Sequence, residues 1–164
     1  MERRAVFRVR NCSIEIVSCP ETIYECRVVK ERGRIHPLQV AYLLHTSNAI
    51  VLDENDREMS LHEFVSRFSN PSFWITFSTY VDLRKRGRRV EPGLLDNELV
   101  IEDRKLKIYV FEECVPIHIE KLMQLVDTSI RQGYKVVIAV VDMHGDVTYY
   151  EVDKMRFPTI ERRV

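Results

Sequence analysis

Apolar and polar residues alternate along residues 4–10 ("RAVFRVR") and 13–18 ("SIEIVS"), which predicts two strands with one solvated face. "TIYECRVVKERG" continues the alternation to Gly33 and predicts a further strand. The period then changes. In "HPLQVAYLLHTSN", Leu38, Ala41 and Tyr42 or Leu44 recur at helical spacing, with Pro37 in the first turn. "AIVLDENDREMS" reads as a short strand and a polar turn. Ser60 followed by Glu63 is the capping-box pattern, and it starts a helix over about residues 61–68. Pro71 disfavours helical geometry at Asn70 and ends it.

The next segment, "SFWITFSTYVDLRKRG", places Phe73, Phe77, Tyr80 and Leu83 on one helical stripe, with cations in the last turn and Gly87 as the stop. "RRVEPG" turns the chain. "ELVIED" and "LKIYVFEE" predict strands, and "IHIEKLMQLVDTSIRQG" predicts a helix. "KVVIAVVD" reads as a strand buried on both faces, and "DVTYYEV" as a last alternating strand. The pattern is α+β: a small N-terminal α+β domain over residues 1–70, and a C-terminal α/β domain over 71–164 with a mixed sheet flanked by helices.

Charge and chemistry add limits. The 25 cations and 25 anions cancel, which argues against coating nucleic acid with the whole surface and leaves room for a local basic patch. Cys12, Cys19 and Cys26 recur every seven residues, and Cys114 stands apart. None forms a C-x-x-C pair and no histidine completes a zinc spacing, so the first three cysteines read as small buried or edge residues and no metal or cofactor is expected. No apolar run approaches the ~18 residues of a membrane span, and the charged N-terminus lacks a signal-peptide core. The expectation is a cytoplasmic protein.

Two stretches carry a resemblance. "YVDLRKRGRRVEPG" and "VVIAVVDMHGDVTYYEV", in that order after "HPLQVAYLL" and "VLDENDREMSLHEF", resemble the tRNA-splicing endonucleases, or tRNA-intron lyases. The resemblance covers about residues 35–152. It implies a nuclease-like C-terminal domain and a metal-independent cut at bulge–helix–bulge motifs of precursor tRNA, leaving 2′,3′-cyclic phosphate and 5′-hydroxyl ends. In that family a tyrosine serves as base, a histidine as acid, and a lysine stabilises the transition state.

Carried onto this chain, those roles look vacant. The tyrosine position falls near Glu102. The histidine loop is shortened to "DRK", around Arg104, with no histidine between Leu94 and Val115. The lysine position falls on Tyr134, or on Gln132 if an arginine is matched to Arg131, and a base-gripping arginine position falls on Asp127 or Leu125. That pattern implies a non-catalytic, structural subunit of a heterotetrameric archaeal enzyme, whose partners are a catalytic subunit and precursor tRNA.

The resemblance also points to an interface. In the family the last strand pairs with its equivalent in a neighbouring subunit, and an acidic loop enters a basic cleft of an opposing one. Tyr149, Tyr150 and Val152 then belong to a dimer edge, and Asp142, Gly145 and Asp146 to the inserting turn. Without the resemblance the same turn is an ordinary hairpin with Gly145 at positive φ, and His144 an exposed turn residue. "RKRGRR" (Arg84, Lys85, Arg86, Arg88, Arg89) is either an RNA phosphate patch or a helix end with dipole-matched cations. Two other readings stand beside the structural subunit. One is an active endonuclease using a displaced set such as Tyr109, His118 and Lys135; the other is an RNA-binding scaffold.

Overall fold

A computed structural model describes residues 4–155. The chain runs β1 (Ala5–Arg10), β2 (Ser13–Ser18), α1 (Tyr24–Arg32), α2 (Pro37–His45), β3 (Ala49–Leu52), α3 (Leu61–Phe68), α4 (Phe73–Lys85), β4 (Glu91–Pro92), β5 (Glu98–Ile101), β6 (Leu106–Glu112), α5 (Ile119–Arg131), β7 (Lys135–Val141) and β8 (Val147–Val152). A single 3-10 turn, Glu102–Arg104, links β5 to β6. The fold is α+β with two mixed sheets, ordered β2-β1-β3 and β4-β5-β6-β7-β8. β6 and β7 pair in parallel, as the α5 crossover requires, and every other pair in the larger sheet is antiparallel.

α4 is the centre of the molecule. Phe73, Phe77, Tyr80 and Leu83 are buried as the helical stripe demands. The same stripe touches α2, where the Tyr42 and Tyr80 rings meet edge-on with centroids 5.4 Å apart. Thr76 and Thr79 are buried too, and their hydroxyls donate to the Ser72 and Ile75 carbonyls one turn back. One apolar cluster therefore runs from Phe7 and Val9 in β1 through α2, α3 and α4 to Val110, Ala139 and Val141 in the larger sheet. A second, smaller one lies under α5, around Tyr109, Val126 and Val136.

Two expectations are overturned. Residues 24–32 are helical, not extended. Glu25, Cys26, Val28 and Val29 form the buried face, a period of 3.6 that the charged Glu25 disguises in sequence. Gly33 closes the helix at φ 73°, with its N–H donating to the Val29 carbonyl. The helix also changes the cysteines: its first turn brings Cys26 to the end of β2, and Cys26 is disulfide-bonded to Cys19. Cys12 and Cys114 are exposed free thiols. Among the described residues no helix is long and apolar enough to cross a membrane.

Candidate functional site

A cleft of about 670 Å³ opens between the α1–α2 corner and the β4–β6 edge of the larger sheet. Arg32, Arg34, His36 and Gln39 line one wall, and Glu91, Glu98, Glu102, Lys107, Gln132 and Tyr134 the other. The local geometry follows from three features. Gly93 lies against Glu98: its N–H donates to the Glu98 carbonyl (2.7 Å), and a Cβ there would fall 2.5 Å from Glu98 Cγ. The 3-10 turn ends on Lys105 at φ 49°, which folds Glu102 back toward the cleft mouth. The α5–β7 connection is tied to that turn, since Lys135 N–H donates to the Lys105 carbonyl (2.8 Å), and this sets Tyr134 beside Glu102.

The charges here are already matched. The Tyr134 phenol donates to Glu102 Oε1 (2.5 Å), and Lys105 Nζ donates to Glu102 Oε2 (2.7 Å). Lys107 Nζ donates to Gln132 Oε1 (2.8 Å) and lies 3.1 Å from Glu98 Oε1. Both ammonium nitrogens lie 5.2 Å from the Tyr134 ring centroid. The hydrogen bond to Glu102 pushes the Tyr134 phenol above its ordinary range and occupies its proton. Lys105 and then Tyr134 hold the Glu102 carboxyl below its ordinary range, and Glu102 in turn raises Lys105.

His36 completes the cleft. Its Nδ1 accepts the Leu38 N–H (3.1 Å), capping α2, so a neutral ring carries its proton on Nε2. Desolvation pushes the imidazole down from its usual value, which keeps it neutral. Gln39 Oε1 accepts the His36 N–H (3.0 Å), and its buried Nε2 has no hydrogen-bond partner among the described residues. An imidazole, a phenol and an ammonium thus share one cleft. The sequence reading missed His36 for this place because the signal is tertiary: α2 lies nearly a hundred residues before Tyr134.

The displaced set Tyr109, His118 and Lys135 does not converge. The Tyr109 hydroxyl is buried under α5 against Ser129 Oγ (2.8 Å). His118 is the N-cap residue of α5, and Lys135 is exposed, 3.9 Å from Glu151.

The remaining candidates divide. The Tyr149 hydroxyl donates to Asp82 Oδ2 (2.7 Å), pinning β8 to α4, and burial followed by that contact pushes the phenol well up. Val152 packs into the cluster under α5, whereas Tyr150 is 55 % exposed on the sheet edge. Asp142 Oδ1 accepts the His144 and Asp146 N–H groups (2.8 and 2.9 Å), which holds its carboxyl low. Asp142 therefore builds the turn, with Gly145 at φ 85°, and Asp146 is exposed on it beside His144. In the basic cluster, Arg84 packs inward over Tyr24 and Arg86 pairs with Asp82 (2.8 Å). Lys85, Arg88 and Arg89 are exposed and make no ion pair among the described residues.

No family model matches the chain. It is 30% identical over 115 residues to the tRNA-splicing endonuclease of Methanococcoides burtonii, covering 63% of this chain and 33% of that protein. It is 25% identical over 145 residues to that of Methanococcus vannielii, covering 77% of this chain and 82% of the relative. The chain is similar to archaeal tRNA-splicing endonucleases. The tRNA-splicing endonuclease of Methanothermobacter thermautotrophicus agrees, at 25% over 140 residues and 82% of its length. These relatives support the endonuclease family, though the chain spans only about a third of the first of them. Two of the three positions at which the endonuclease resemblance puts chemistry, Glu102 and Tyr134, are hydrogen-bonded to each other, and the third, Arg104, belongs to the same 3-10 turn as Glu102.

Proposed function

We propose that this protein is a structural subunit of a tRNA-splicing endonuclease, assembling with a catalytic subunit that cuts intron-containing precursor tRNA. One observation carries the reading. Two of the three chemical positions are committed to each other: Tyr134, together with Lys105, is spent on Glu102, and the neighbouring Lys107 is spent on Glu98 and Gln132. A 2′-hydroxyl would meet a protonated phenol, and a phosphorane would meet ammonium groups already facing carboxylates. The relatives' names support a role in tRNA splicing.

The edge strand β8 and the hairpin turn are the assembly surfaces on this reading. Among the described residues β8 is the last strand of its sheet and leaves one row of backbone groups unpaired. Tyr150 stands outward on it, and Asp146 on the turn. The cleft, with the orphan Gln39 Nε2 and exposed Arg34, offers donors to an acidic segment of an opposing subunit.

A second reading is favoured by one fact: His36, Tyr134 and Lys107 line the same cleft. An active endonuclease built on them would need Glu102 to release the phenol. Incubating an intron-containing precursor tRNA with the purified chain, alone and with a catalytic subunit, separates the two. The structural reading predicts no cleavage alone and cleavage by the mixture. Cleavage by the chain alone, lost in Tyr134→Phe, would establish the second.

A further inference from the structure

A second cavity, of about 290 Å³, lies on the other side of α1, between its N-terminus, the start of β1 and the end of α2. It has no place in the chemistry above. Arg4, Arg27 and Arg84 line it together with Tyr24, Tyr42 and Glu25. Arg84 is held rigidly at its floor, with the guanidinium carbon 4.5 Å from the Tyr24 ring centroid and 5.4 Å from that of Tyr42. Its Nη1 donates to the Arg88 carbonyl (3.0 Å). Its Nε lies 3.0 Å from Glu25 Oε1 yet makes no well-angled hydrogen bond, and its Nη2 makes none among the described residues.

Glu25, the single carboxylate of the cavity, is already answered by the Tyr80 hydroxyl (3.2 Å) and by Arg84. Arg4 and Arg27 make no ion pair among the described residues, although the chain as a whole has one anion for every cation. The cavity also receives the start of α1, a nine-residue helix whose N-terminus no side chain caps. Its first-turn N–H groups lack intrahelical partners and point the positive end of the helix dipole into the same space.

We propose that this cavity binds a phosphoryl group, taking the anion between the guanidinium groups of Arg4, Arg27 and Arg84 and the open N-terminus of α1. Arg84 is the preorganised donor, stacked on two tyrosines and positioned by Glu25; Arg4 and Arg27 close over the anion from the rim. The volume admits one phosphate with part of the sugar or base attached, which fits a free nucleotide or one residue of an RNA backbone. The site is on a different face of α1 from the cleft, and it stands whether or not the chain is a splicing subunit.

The test uses the full chain, with AMP in a calorimetric titration and a labelled single-stranded RNA in an anisotropy titration. Arg4→Ala and Arg27→Ala are the variants, because both side chains are exposed and neither supports the core. Lys135→Ala, exposed on another strand, is the control. The expected result is at least a tenfold loss of affinity in the double variant, an unchanged melting temperature and no loss in the control. Loss for AMP identifies a nucleotide site; loss for RNA with no AMP binding identifies a backbone phosphate. No binding of either probe, or binding that the double variant leaves intact, would overturn the proposal.

Discussion

At the residue scale, Tyr134 is where structure and chemistry meet. Replacing it with Phe removes one hydrogen bond to a carboxylate, a loss of about 1.5–3 kcal/mol at most for a bond to a charged group, and less here because Glu102 is exposed and Tyr134 only half-buried. The fold should survive, with a melting curve shifted by a few degrees. Gly93 is less tolerant. Alanine there would collide with Glu98 Cβ, Cγ and Cδ, all within 2.8 Å, and Glu98 is buried against Lys107. Gly93→Ala should destabilise by about 1–3 kcal/mol, the usual cost of overpacking, measured by denaturant unfolding. Both residues show what sequence can convey. The resemblance marked Glu102 and Tyr134 one at a time, because each lies at a fixed distance from a recognisable strand. Their mutual contact, and the presence of His36, depend on how α2 meets the sheet, and no local spacing encodes that.

At the scale of elements, α3 was legible to the residue and α1 was not. Ser60 and Glu63 cap α3 reciprocally: Glu63 N–H donates to Ser60 Oγ (3.2 Å), and Ser60 N–H donates to Glu63 Oε2 (2.8 Å). Those Ser60 contacts, ahead of Arg57, hold the Glu63 carboxyl down at about 2. A depressed carboxyl contributes stability above its unfolded value of 4.5, and that contribution is lost as pH falls toward 2. Ser60→Ala should cost about 0.5–2 kcal/mol at neutral pH and flatten the acid limb of the stability curve between those pH values. α1 hid because its buried face includes a glutamate and because its apolar residues, Val28 and Val29, are β-branched. Its packing against α4 and its disulfide override that local preference. Reducing the Cys19–Cys26 bond, or substituting Cys26 by Ser, should lower stability by about 2–3 kcal/mol for so short a loop in the chain-entropy model. Urea titration with and without reductant measures it, and an unchanged midpoint would show that α1 is held by packing alone.

At the scale of the whole molecule, the α+β architecture followed from the change of hydrophobic period, and the strand order came only with the structure. What surrounds the molecule did not, since an edge strand and an exposed acidic turn suit a partner without naming it. If β8 is an assembly edge, Glu151→Pro, opposite Val137 at a position whose N–H faces away from β7, should remove an outward backbone donor and weaken complex formation at least tenfold by analytical ultracentrifugation. Tyr150→Ala, at an exposed anchor, should weaken it without altering the monomer's stability.

The central claim is that this chain supports cleavage without supplying any of its chemistry. The most direct measurement is the single-turnover rate of precursor-tRNA cleavage by a complex reconstituted from a catalytic subunit and this chain carrying Tyr134→Phe and His36→Ala. The account predicts a rate within about twofold of the complex with the unaltered chain. Loss of the ~10²–10⁴-fold that a missing general acid or base removes, in an assembled complex of unchanged mass, would contradict it.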